Sequence, residues 1–243
     1  MLAVVVVAVW WVSQARWLED AWLAAPEYDI DALEVLARIK LTGEQGLSLF
    51  VDKGIDRLGA PWVADWSSYP MPDMLAFWFL GRLAKVTGLV AVGHLAVLLS
   101  SLVNALAFFF CSRVLGHRPV FAACAAMLFA FSHYNITRGL SHYSLTLSFT
   151  VPAILLAAWL VGGSRRLLEK RRWQVACLLV GACAAMGSPY YGLIFVLLMV
   201  TTMVYQFAGA HRRANLLTGI GSLVVWGLAT AACHLTAIAG MLH

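Results

Sequence analysis

The chain has 243 residues, of which 62% are hydrophobic and only 12% charged, with a mean hydropathy of +0.81. A soluble domain carries about 25% charged residues, and much of any folded surface must face water, so this composition excludes an ordinary water-soluble globule. The net charge of +5 is spread in short clusters between apolar stretches, which excludes a basic nucleic-acid surface and suits a membrane protein instead.

The acids are distributed unevenly. Eleven of the twelve Asp and Glu residues lie between Glu19 and Asp73, and only Glu169 lies elsewhere. The first apolar run, Leu2–Ser13, is short against the roughly 20 residues needed to cross a bilayer. Residues 14–70 then form a long polar connection. Within it, Glu27–Lys40 has helical spacing, with Leu33, Leu36, Ala37 and Lys40 on one side, Pro26 before it and Gly43 as the expected stop. Residues 54–72 read as loop, punctuated by Gly59, Pro61, Pro70 and Pro72.

Six further apolar spans are expected at Ala91–Cys111, Val120–Ser132, Ser144–Val161, Trp173–Met186, Tyr190–Ala208 and Leu216–Ala239, the pair within 173–208 being either two crossings or a re-entrant hairpin. Nine Lys and Arg fall in alternate linkers, so those linkers are expected on the cytoplasmic side. Ala91–Cys111 then runs inward, and the apolar stretch Asp73–Val86, interrupted by Arg82 and Lys85, becomes an amphipathic helix at the outer interface. The expectation is an all-α polytopic bundle of about seven spans: one module over 1–243, with an extracytoplasmic loop at 14–90 carrying interfacial helices and transmembrane helices over 91–243. The last span stops at the chain's end, as in a piece of something longer. Five cysteines in apolar runs, without a CxxC, read as packing residues, and Pro152 as a kink within its span.

Several polar residues are candidates for chemistry. Asp29 and Asp31 are two apart, so on a helix they point in different directions and do not chelate one ion together. One carboxylate could take a proton from a hydroxyl or hold a divalent cation, while the other stays solvated. Asp73 follows Pro72 and suits either a helix N-terminus or a ligand contact. In the turn His133–His142, Arg138 is the one outer-side cation after Lys85; its fork suits a phosphate, or an ion pair with an acid of the first loop. His142 is a candidate donor to a phosphate or a sugar hydroxyl. Lys40 is a candidate phosphate ligand or an i,i+4 partner of Glu44, and Arg38 is a second cation of this loop. Asn135-Ile136-Thr137 matches a glycosylation sequon but lies tight against two spans and is discounted.

Three stretches carry a resemblance. Asp31-Ala32-Leu33 with Ile39-Lys40, then Leu58-Gly59-Ala60-Pro61 with Tyr69-Pro70-Met71-Pro72-Asp73, then Leu128-Phe129-Ala130-Phe131 with Tyr134, Arg138-Gly139, His142 and Val151-Pro152 resemble, in order and spacing, motifs of a group of large bacterial membrane proteins. That group is similar to glycosyltransferases of the GT-C superfamily. The resemblance covers about residues 28–152, and Ile30 stands where the group usually has Gly. It implies a polytopic enzyme of the bacterial inner membrane whose first outer loop holds the catalytic acid, matched by Asp31. The implied donor is a polyprenyl-phosphate-linked sugar and the acceptor an envelope polysaccharide or lipid. No cofactor is fixed by it, though a divalent cation (Mg or Mn) at Asp31 is compatible. Asp29, Lys40, Asp73, Arg138 and His142 are the expected substrate-binding residues. The alternative expectation is a non-enzymatic transporter or assembly component for surface polysaccharide, which should show a polar file through the middle of several spans.

Overall fold

The computed structural model describes residues 1–15, 30–45, 54–55, 64–65, 73–163, 170–210 and 213–241. Among these the protein is helical, apart from a two-residue antiparallel ladder pairing Gly54 with Asp65 and Ile55 with Ala64 inside the stretch expected to be loop. The helices are α1 (Leu2–Trp10, continued by a wider turn to Ala15), α2 (Ile30–Gln45), α3 (Met74–Thr87), α4 (Leu89–Val114), α5 (Pro119–Ala130), α6 (His133–Arg138), α7 (Tyr143–Thr146), α8 (Thr150–Gly163), α9 (Arg171–Met186), α10 (Pro189–Tyr205, with a wider turn to Ala210) and α11 (Arg213–Met241). Among the described residues four segments are long and apolar enough to cross a membrane: Leu89–Val114, Pro119–Arg138, Pro189–Ala208 and Asn215–His234. The protein is therefore read as a membrane protein. Leu2–Ser13 and Thr150–Gly163 are apolar but shorter.

Two compact units account for the packing: Met1–Glu44 with Ala76–Ala153, and Gln45–Leu75 with Ile154–His243. In the first unit, α2 buries Ala32, Val35, Leu36 and Ile39, an i, i+3, i+4, i+7 stripe. This differs from the face expected from the sequence: Leu33 is half exposed and Lys40 fully outward, because both lie off that stripe. Phe77 and Leu80 of α3, Val92, Ala96 and Val97 of α4, and Leu140, Tyr143 and Leu147 complete the same core. A second cluster joins Val6 of α1 to Ala105 of α4 and to Ala126 and Ala130 of α5, small residues that let helices approach closely without a water-driven force between them.

Gly43 does not end α2, which runs on to Gln45. Its role is spatial. A Cβ on Gly43 would lie 2.8 Å from the Gly81 carbonyl oxygen, and a Cβ on Gly81 would lie 2.5 Å from the Gly43 nitrogen. The two backbones touch where α2 crosses α3. Beside the crossing, Thr42 Oγ1 donates 2.7 Å to the Phe77 carbonyl oxygen.

The expected span Ser144–Val161 is broken into α7 and α8 by a turn at Leu147–Phe149. Pro152 consequently sits in the first turn of α8, where its missing N–H has no helical partner to lose, so it starts the helix instead of kinking it.

In the second unit, α9 packs on α11 through Gly181, whose Cβ position lies 2.6 Å from the Ser222 carbonyl oxygen. The carbonyl end of α8 is closed by two side-chain amides: Gln206 Nε2 donates to the Gly162 oxygen, and Asn215 Nδ2 donates 2.9 Å to the Val161 oxygen. Such end groups have no helical partner of their own, and in an apolar setting leaving them bare is costly. Of the cysteines, Cys177 is buried, whereas Cys124 and Cys183 face outward.

Candidate functional site

Asp31 lies in the first turn of α2 with its side chain exposed. The positive end of the helix dipole favours a carboxylate there. One residue on, Ala32 is fully buried and starts the stripe that seats α2 in the core of the first unit. The acid is thus presented outward by a helix whose other side is fixed. Asp29 lies outside the described residues.

The segment expected as a plain turn at His133–His142 is more ordered than that. Ser132 caps α6 by accepting from the Asn135 backbone N–H at 3.4 Å. Asn135 is buried: its Nδ2 donates 2.8 Å to the Phe129 carbonyl oxygen, and its Oδ1 accepts 3.0 Å from Ser148 Oγ. On the far side of the turn, Thr146 Oγ1 donates 2.8 Å to the Gly139 oxygen, and Asn104 Nδ2 of α4 donates 2.8 Å to the Thr146 oxygen. These bonds tie both ends of the turn to the bundle.

Arg138, at the end of α6, is half-buried with its guanidinium 5.4 Å from the Tyr134 ring centre. Among the described residues no carboxylate lies within ion-pair distance of it, so an ion pair with Asp31, Glu34 or Glu44 is not formed. The His142 backbone bridges into α7, accepting from the Leu145 and Thr146 N–H groups at 2.8 and 3.0 Å, with its imidazole half-buried beside the buried Tyr143. Leu140 and Tyr143, which flank His142, belong to the same core as Ala32, Val35, Leu36 and Ile39. The Asp31 helix and the Arg138–His142 turn are therefore held by one apolar cluster.

Lys40 is exposed, and of its two readings the i,i+4 pair with Glu44 is not formed. Nine residues separate it from Asp31, about 13.5 Å along the helix axis at 1.5 Å per residue. It therefore belongs to the opposite end of α2. Asp73 belongs to the second unit. It is buried and has a left-handed backbone (φ 59°), with its N–H donating 2.8 Å to the Met186 oxygen and its Oδ1 within 3.5 Å of where a Gly187 Cβ would stand. The left-handed conformation departs from the extended geometry usual at a helix N-cap and is one that Asp tolerates better than most residues.

One residue was undervalued in the sequence. Arg38 is almost fully buried, ion-paired with Glu34 and placed 5.9 Å from the Phe77 ring centre. Phe77 in turn meets Tyr143 at 5.9 Å and 50°. The signal was present: Glu34 and Arg38 have i,i+4 spacing, and Arg38 adjoins the stripe at Val35 and Ile39. Among the described residues no group of three or more His, Cys, Asp or Glu converges on one point.

Compared with protein families, with curated proteins and with solved structures, the chain matches none of them.

Proposed function

We propose that this protein is a membrane glycosyltransferase of the bacterial inner membrane, moving a sugar from a polyprenyl-phosphate carrier to an extracytoplasmic acceptor, with Asp31 as general base. The acceptor hydroxyl oxygen bonds to the sugar's anomeric carbon, the bond from that carbon to the carrier phosphate breaks, and the hydroxyl proton passes to the Asp31 carboxylate. The leaving phosphate gains negative charge, and Arg138 and His142 are the groups in the first unit suited to stabilise it. A lipid carrier explains why the reactive groups belong with apolar helices and need no separate soluble domain.

The observation that carries this reading is the shared core of Ala32, Val35, Leu36 and Ile39 with Leu140 and Tyr143. It holds in one compact unit an outward carboxylate and a guanidinium that, among the described residues, has no acidic partner. The rival reading, a transporter, needs polar groups free to line a path. Three of the buried polar side chains of α4 are instead engaged with backbone: Ser100 and Ser101 donate to the Val97 oxygen at 2.8 and 3.1 Å, and Asn104 Nδ2 to the Thr146 oxygen.

The test is sugar transfer from a polyprenyl-phosphate donor by membranes carrying the protein or its Asp31→Asn variant. The variant should insert normally and lose about 10²- to 10⁴-fold in rate, the usual contribution of a general base. Undiminished transfer by Asp31→Asn would remove Asp31 from the mechanism, and absence of transfer by membranes carrying the unaltered protein would remove the function.

A further inference from the structure

We propose that the groove where α2 crosses α3 binds the phosphodiester headgroup of an anionic bilayer glycerophospholipid between Lys40 and Lys85. The groove has a volume of about 300 Å³. It is lined by Gly43 and Gly81, whose backbones touch, by the apolar Ala84 and Leu89, and by the exposed Lys40, Lys85 and Glu44, which form its charged rim.

Three independent features converge. The first is steric. At Gly43 and Gly81 a Cβ would come within 2.5–2.8 Å of the opposing backbone, so the crossing has no side chains to fill the notch above it. The second is charge. Lys40 and Lys85 are both exposed, and among the described residues neither is ion-paired. With Glu44 the rim carries one net positive charge, matched to the single charge of a phosphodiester. Each ammonium has three donors for its oxygens.

The third feature is depth. Leu89 is the first residue of α4, a helix long and apolar enough to cross a bilayer. The start of such a helix lies at the headgroup level, where phosphodiesters are. The outward side of α3 suits the same depth: Leu75, Phe79 and Val86 are exposed apolar residues, and Arg82 stacks on Trp78 at 5.6 Å. Ala84 and Leu89 would receive the first methylenes of an acyl chain.

This site is separate from glycosyl transfer, and its test does not read transfer. The protein is purified in detergent and offered phosphatidylglycerol, phosphatidylcholine or a polyprenyl phosphate, and bound lipid is counted by native mass spectrometry. Phosphatidylglycerol should be retained in preference to phosphatidylcholine. The Lys40→Gln/Lys85→Gln variant should bind it roughly 30-fold more weakly, two lysines each giving about fivefold near a charged headgroup. Ala84→Phe, which fills the groove and leaves both lysines, should also lose the lipid while keeping its helical circular dichroism. Equal retention of the two phospholipids, or undiminished phosphatidylglycerol binding by both variants, would overturn the proposal. Lysine-dependent binding of the polyprenyl phosphate without preference for phosphatidylglycerol would also overturn it, assigning the groove to the glycosyl donor.

Discussion

The two units use the same lipid-compatible composition for different ends. In the first, α2 and α3 bring charge to a packed core: Asp31, Lys40, Glu44 and Lys85 point outward, while Arg38 is drawn inward onto Glu34 and Phe77. In the second, α9, α10 and α11 pack through small residues such as Gly181, and the buried amides of Gln206 and Asn215 serve the end of a helix. Among the described residues between Ile154 and Tyr205, the charged ones are the cluster Lys170, Arg171 and Arg172 at the start of α9. The difference teaches that hydropathy alone does not separate a region that turns charged side chains outward from one whose polar side chains serve the ends of helices. What separates them is whether polar side chains are aimed outward or consumed by backbone.

The contrast is broken most sharply at Asp31. Asp31→Asn should cost about 10²- to 10⁴-fold in transfer with insertion unchanged, whereas Asn215→Leu in the second unit should lower stability and leave the transfer rate per folded molecule alone. Transfer assays normalised to folded protein read both. Next come the two glycine contacts. Gly81→Leu should destabilise the first unit by about 3 kcal/mol, since the obstacle is backbone and not a flexible side chain. Gly181→Leu should do the same to the second, and hydrogen exchange resolved by peptide should show each unit loosening by itself. A smaller loss, about 1 kcal/mol, is expected for Asn104→Leu, which removes the tie from α4 to the Thr146 carbonyl and leaves the Ser148 N–H as that oxygen's remaining donor; thermal unfolding in detergent measures it. The smallest effect is Tyr134→Leu. Removing the ring beside Arg138 should cost roughly 0.5–1 kcal/mol and leave the fold intact.

Much of the helical order was legible in the sequence because apolar runs of this length have few alternatives. Helix α3 was legible although it contains Arg82 and Lys85. The failures have particular causes. Gly43 read as a stop because glycine marks helix ends and helix crossings alike, and only its contact with Gly81, 38 positions later, tells them apart. The break at Leu147–Phe149 carries no Gly or Pro, and it is fixed by the bond that Asn104 donates to the Thr146 oxygen and the one that Ser148 Oγ donates to Asn135 Oδ1, which pair residues 42 and 13 positions apart in the chain. Arg38 looked like a surface cation because burial of an arginine depends on partners that composition does not reveal. The candidate site was legible as a set of residue types, and for Arg138 and His142 also as a segment. That the Asp31 helix shares a core with that segment is a tertiary fact. Asp73 and Lys40 were legible as polar residues of the first loop, yet one belongs to the second unit and the other lies at the far end of α2 from Asp31.

The engagement of Asn135 has a practical consequence for anyone charting which side of the bilayer each loop occupies. Sugar-tagging assays infer sidedness from whether a native acceptor becomes modified. Here the carboxamide is occupied on both its nitrogen and its oxygen, so an unmodified Asn135 would be uninformative about the compartment it faces. A sequence tag inserted at an exposed position of α6, such as Thr137, would be the fair reporter.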